Sequence, residues 1–142
     1  MSSALDRLTN LTNKISYYET VRKENLKILK NLYKKIEIDK KVESFSDLFD
    51  FKAINLSGAS LLSDSLGEIK KGKYLQVLAI SYDKNATQKS KNVSLAYFGK
   101  VENVDSSLND MVVEFINRYR FAKSFMTFEK YYESKRNFKV NA

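Results

Sequence analysis

The stretch from Ser106 to Phe138, SSLNDMVVEFINRYRFAKSFMTFEKYYESKRNF, leaves few ways to fold. Counted in threes and fours from Leu108, the positions Val112, Phe115, Tyr119, Ala122 and Met126 line up at about 100° per residue. Met111, Phe121, Phe125, Phe128 and Tyr132 widen this stripe on one side, while Arg120, Lys123, Thr127, Lys130 and Ser134 repeat on the other. The spacing predicts a long two-faced helix whose apolar face is too wide to leave in water. Eight of the eighteen aromatics (nine Tyr, nine Phe) lie between Phe115 and Phe138, so packing energy concentrates here. One partner helix does not cover such a face. Phe115, Tyr119, Phe121, Phe125, Phe128 and Tyr132 are therefore the expected core and dimer contacts.

The residue types that are missing narrow both fold and function. Proline is absent from 142 residues, where ordinary usage gives about seven. Only four glycines are present, so few tight turns and long elements are expected. Without cysteine there is no disulfide framework, thiolate metal site or cysteine nucleophile. Without histidine the usual general base, the usual zinc ligand and the familiar nucleophilic triads also go. The expectation is a protein that is not an enzyme, with no cofactor, no metal site and no small-molecule substrate. No apolar run approaches the ~20 residues of a membrane span, and MSSALDRLTN does not read as a signal peptide. A cytoplasmic protein is expected, peripheral to a membrane if it meets one.

Residues 3–41 form the second strong pattern. Leu5, Leu8, Leu11, Ile15, Tyr18, Leu26, Leu29, Tyr33 and Ile36 keep nearly a seven-residue repeat, with Arg22 and Asn25 as polar interruptions. Ser2 or Ser3 is placed to cap the start. Lys23, Lys27, Lys30, Lys34 and Lys41 share one side of this helix, beside the apolar seam. From Arg22 to Lys41 eight basic residues face three acidic ones, a local charge of +5 within a chain of +8. A stripe of one sign with few acidic partners at i,i+4 is either a solvated face or a binding surface for a polyanion.

The middle of the chain is less decided. Phe45, Leu48, Phe49, Ala53 and Leu56 fit a helix that breaks at Ser57-Gly58, and Ser65 to Glu68 has the form of a capping box. From 69 to 104 a helix follows Ile69, Leu75, Leu78, Tyr82, Ala86, Val93, Tyr97 and Val101, with Gly99 as a kink. The rival is a β-hairpin built from YLQVLAISY and VSLAYFGKV. Helix is preferred, because neither strand alternates cleanly and the connection DKNATQKSKN lacks good turn residues. Lys84, Lys89 and Lys91 make a second basic cluster there. Asp105 or Ser106 is the expected cap of the last helix. Gly67 and Gly72 lack phosphate-loop spacing, and Asp47/Asp50 and Asp105/Asp110 suit helix starts without any catalytic part.

Within EFINRYRFAKSFMTFEKYYESK, the residues Glu114, Phe115, Ile116, Ala122, Lys123, Phe125, Lys130 and Tyr131 resemble a pattern of sorting-nexin-type BAR domains. LKILKNLYKKIE and LLSDSLGEI are similar to that family's first helix and the start of its second. The resemblance implies an elongated helical dimer that binds anionic membranes through basic residues.

The expectation is thus a single all-α domain over 1–142, its long helices packed as an antiparallel coiled-coil-like bundle. The alternative is α+β, with a hairpin at about 74–101 between two long helices. The leading function is a non-enzymatic scaffold that dimerises on anionic membranes in intracellular trafficking. Lys23, Lys27, Lys30, Lys34, Lys41, Lys84, Lys89, Lys91, Arg120, Lys123 and Lys130 are the candidate contacts to the polyanion. The same cations would serve a nucleic-acid-binding or nucleoprotein assembly factor, and a structural adaptor with incidental charge is the third reading.

Overall fold

The structure is a computed structural model that describes residues 3–82 and 90–141, including side chains other than those of 90 and 132–141. Helix α1 runs over Ala4–Lys35. It opens on the Ser3 hydroxyl, which accepts from the Asp6 N–H at 3.1 Å while the Asp6 carboxylate accepts from the Ser3 N–H at 3.3 Å. It stops well short of 41. Glu37 takes a left-handed conformation at φ 63°, and the Tyr33 hydroxyl donates across the reversal to the Val42 carbonyl. A short 3-10 turn at Ile38–Lys40 buries Ile38, and a second at Phe45–Asp50 buries Leu48. The last helix, α2, covers Ser106–Asn141, and the Asp105 carboxylate accepts from the Ser107 N–H at 3.1 Å.

Between the helices the chain makes a three-stranded antiparallel sheet in the order β1 (Ala53–Ser57), β2 (Tyr74–Tyr82), β3 (Ser90–Lys100). This corrects the all-α expectation, and the hairpin that was its rival is the one that forms. The preferred helix over 69–104 fails because Leu75, Val77 and Ala79 are all buried at a spacing of two. Leu78 and Ile80, on the other face, are half-buried too, so the alternation is hidden in the continuous apolar run Val77-Leu78-Ala79-Ile80. In β3 the period is broken by two register shifts, opposite Leu75/Gln76 and Val77/Leu78. Phe98 and Leu95 are the residues left without a partner, and Leu95 enters the core. Gly99, expected to kink a helix, instead sits at φ 94° where β3 shifts register.

The helix expected over 42–62 is replaced by the second 3-10 turn and β1. Ser57-Gly58 does end an element. Gly58 has φ 97°, and a Cβ there would stand 2.5 Å from the Tyr74 carbonyl oxygen, so no side chain fits. Ser65 to Glu68 does not start a helix. It is a turn (Glu68 N–H to Ser65 carbonyl, 3.0 Å) whose neighbours Ala59 and Ile69 form an isolated bridge.

One core joins all of this. Val112, Phe115, Ile116 and Tyr119 of α2 meet Leu29, Leu32 and Tyr33 of α1 and Ile54, Leu75, Val77 and Leu95 of the sheet. The 3-10 segment enters as an aromatic series, Tyr33–Phe45–Phe49–Tyr119, with centroid separations of 5.5, 5.7 and 5.4 Å. The Tyr119 hydroxyl ends it by donating to the Leu48 carbonyl at 2.9 Å.

Candidate functional site

Burial divides α1 in two. From Asn25 onward the helix presses Leu29, Leu32 and Tyr33 into the core, and Ile36 follows at its end. On the opposite side Lys23, Lys27, Lys30 and Lys34 are all exposed. At about 100° per residue these four fall within an arc of ~60° and extend ~16 Å along the axis. Among the described residues none of them forms an ion pair. Lys27, Lys30 and Lys34 line a shallow groove of about 370 Å³ with Glu24, Ile28 and Asn31. Between Lys23 and Lys34 no aromatic ring shares this face, since Tyr33 is buried. The stripe offers charge and lysine stems, and no surface on which a base could stack.

The other candidate cations are distributed differently. Lys41 is exposed but lies beyond the reversal at Glu37, off the helix that carries the stripe. Lys84 and Lys89 lie outside the described residues, and Lys91 is exposed on β3. Arg120 and Lys123 turn towards the sheet. The Arg120 guanidinium donates to the Asn55 side-chain oxygen at 3.1 Å. The Lys123 ammonium donates to the Phe51 carbonyl and, at 3.0 Å, to that of Lys52. Burial and the nearby Lys130 charge lower the Lys123 pKa from its ordinary value. Arg120 thus fastens α2 to β1 itself, and Lys123 fastens it to two backbone carbonyls of the segment leading into β1. Lys130 is exposed on α2, a different helix from the one that carries the stripe.

The aromatic candidates split as well. Phe115 and Tyr119 are fully covered by the chain's own core. Phe121 and Phe128 are 42% and 64% exposed, Phe125 is half-buried, and the Tyr132 side chain lies outside the described residues.

The polar interruptions in the seam have a partner in α2. Asn25 is buried and donates to the Arg118 carbonyl at 3.1 Å, while the Arg118 guanidinium returns a bond to the Asn25 side-chain oxygen at 3.2 Å. Glu114 holds Arg118 at 2.8 Å. One turn further up, Arg22 bridges Glu19 at 3.1 Å and approaches Glu129 of α2 at 3.7 Å. The hydrogen bond from Arg22 is the main cause that lowers the Glu19 carboxyl. Polar residues at these two steps were legible in the sequence, but nothing there named Arg118 and Glu129.

Above Arg22 the character of α1 changes. Every residue from Ala4 to Thr20 is exposed, including Leu8 at 60%, Leu11 at 55%, Ile15 at 56% and Tyr18 at 58%. Periodicity predicts a stripe without saying whether anything covers it, and this part is uncovered. Ile15 and Tyr18 line an apolar groove of about 570 Å³ with Phe121, Phe125 and Phe128 of α2.

No protein-family model, curated protein or solved structure matches the chain. Among the described residues no helix is long and apolar enough to cross a membrane.

Proposed function

We propose that this chain is a non-enzymatic scaffold that docks on an anionic membrane surface through Lys23, Lys27, Lys30 and Lys34. The observation that carries the reading is the stripe itself: four exposed ammonium groups, without an ion pair among the described residues, in line on a helix whose other side is fixed in the core. The helix backbone that carries the row is already fixed by the core, so contact with a charged plane orders lysine side chains and no backbone. The membrane is favoured over nucleic acid because no ring interleaves with the lysines, and stacking would add ~1–3 kcal/mol per base. At roughly 1 kcal/mol per lysine near an anionic leaflet the stripe supplies about 4 kcal/mol. That corresponds to a dissociation constant on the order of 1 mM for one copy, which is weak and reversible docking.

The test is co-sedimentation with vesicles rich in phosphatidylserine, beside neutral vesicles, duplex DNA and single-stranded RNA at matched salt. Binding to the anionic vesicles is expected to fall more than tenfold when the four lysines become Gln, with the helical circular dichroism unchanged. Wild-type binding to nucleic acid but not to vesicles would replace the membrane as partner. Equal vesicle binding by parent and variant would show the stripe to be a solvated face.

A further inference from the structure

We infer that the uncovered upper part of α1 is an interface for a second copy of this chain, running antiparallel to the first. Three observations lead there. The first is area. Leu8, Leu11, Ile15, Tyr18 and Phe121 are each between 42% and 60% exposed. At roughly 100 Å² of exposed surface per large side chain they make a patch of about 500 Å², within the range of the largest patch on a typical monomer. Doubled across two copies this is ~1,000 Å², about the least a biological interface buries.

The second is charge. The chain carries +8, which opposes self-association in general. Residues 4–20 are an exception: Asp6 and Glu19 balance Arg7 and Lys14, for a net charge of zero. The stretch that is most apolar on its surface is also one where two copies meet without net repulsion.

The third is sequence symmetry. Leu8, Leu11, Ile15 and Tyr18 lie within an arc of ~80° and alternate three and four apart, as in a coiled-coil seam. The same segment laid against itself in reverse, about a two-fold axis near residue 13, matches Leu8 with Tyr18 and Leu11 with Ile15 of the other copy. Each large residue then meets a large residue, and the interface is isologous and closes on itself. The apolar groove with Phe125 lies beside Ile15 and Tyr18, where the second copy's Leu8 and Leu11 arrive.

The experiment uses the full chain without lipid. Sedimentation equilibrium at 10–100 µM is expected to give about 33 kDa, twice 16.4 kDa. The variant carrying Leu8→Glu and Ile15→Glu should sediment as a monomer with unchanged helicity, because both sites are exposed within the single chain. The absence of native cysteine permits a direct test of direction. An equimolar mixture of Leu11→Cys and Ile15→Cys chains should cross-link to each other on mild oxidation more than either does to itself. A monomeric parent at 100 µM would overturn the proposal, as would a charged variant that still dimerises. Preferred self-cross-linking of each cysteine chain would overturn the antiparallel direction.

Discussion

Tyr119 joins three parts of the molecule through one side chain. Its ring stacks on Phe49, its hydroxyl reaches the Leu48 carbonyl, and the Lys123 ammonium stands 5.9 Å from the ring centroid. Burial, with a smaller contribution from Asp50, pushes its pKa from 10 up to about 12. The ionised phenolate is therefore disfavoured in the folded state. Stability from this residue is complete below pH ~10, the unfolded value, and is lost as the pH rises through about 12. Two units correspond to roughly 3 kcal/mol. Tyr119→Phe is expected to cost about 1 kcal/mol at pH 7, since it strands the Leu48 carbonyl, and to flatten the decline in stability between pH 10 and 12. Urea midpoints taken across that range for parent and variant measure both effects. Parallel alkaline declines would mean that another group drives them. Nothing in the spacing of Tyr119 hinted at this. The sequence showed an apolar-stripe position, and only the 3-10 segment supplied the carbonyl.

At the scale of elements, the two helices were legible and the sheet was not. Leu29, Leu32, Val112, Phe115 and Tyr119 stand on faces of period 3.6 that nothing disturbs, so their pattern survives in the sequence. The sheet hid for two reasons. Leu78 and Ile80 keep its outer face apolar, and the unpaired Leu95 and Phe98 shift β3 by one residue each, which erases alternation. The end of α1 is not legible because Glu37 reverses the backbone with no Gly or Pro to announce it. Of the candidate site, the stripe Lys23 to Lys34 can be read from spacing alone, whereas the inward turn of Arg120 and Lys123 depends on the Asn55 side chain and the Phe51 and Lys52 carbonyls, in a segment whose spacing predicts helix. The division of α1 at Arg22 has a measurable dynamic consequence. In a dilute monomer the exposed stretch 4–20 opens locally at little cost, while 25–35 opens only with the core. Hydrogen exchange at low micromolar concentration should show at least tenfold weaker protection in the first stretch, rising as the concentration passes the dimer's dissociation constant. Uniform protection along α1 at all concentrations would contradict both the division and the pairing.

For the whole molecule, the two proposals constrain each other geometrically. On α1 the lysine stripe lies about 110° around the axis from the Leu8–Tyr18 seam. A two-fold axis that reverses one α1 against another is perpendicular to the seam direction, so surfaces facing along it point the same way in both copies. The stripe faces mostly along that axis, and the dimer therefore presents two parallel rows of four lysines to one plane. Each row alone docks weakly, at roughly 4 kcal/mol, but the second row binds within an already anchored particle and gains effective concentration in place of new contacts. The Leu8→Glu, Ile15→Glu variant keeps all four lysines, yet its affinity for phosphatidylserine vesicles should fall by one to two orders of magnitude beyond the effect of its two added negative charges. That charge effect is measured with Glu placed at Asn10 and Asn13, two exposed positions opposite the seam and about as far around the axis from the stripe as the seam is. A seam variant that binds no worse than this control would show that the stripes act singly, and a parent whose vesicle binding is linear in concentration through the dimerisation range would show the same.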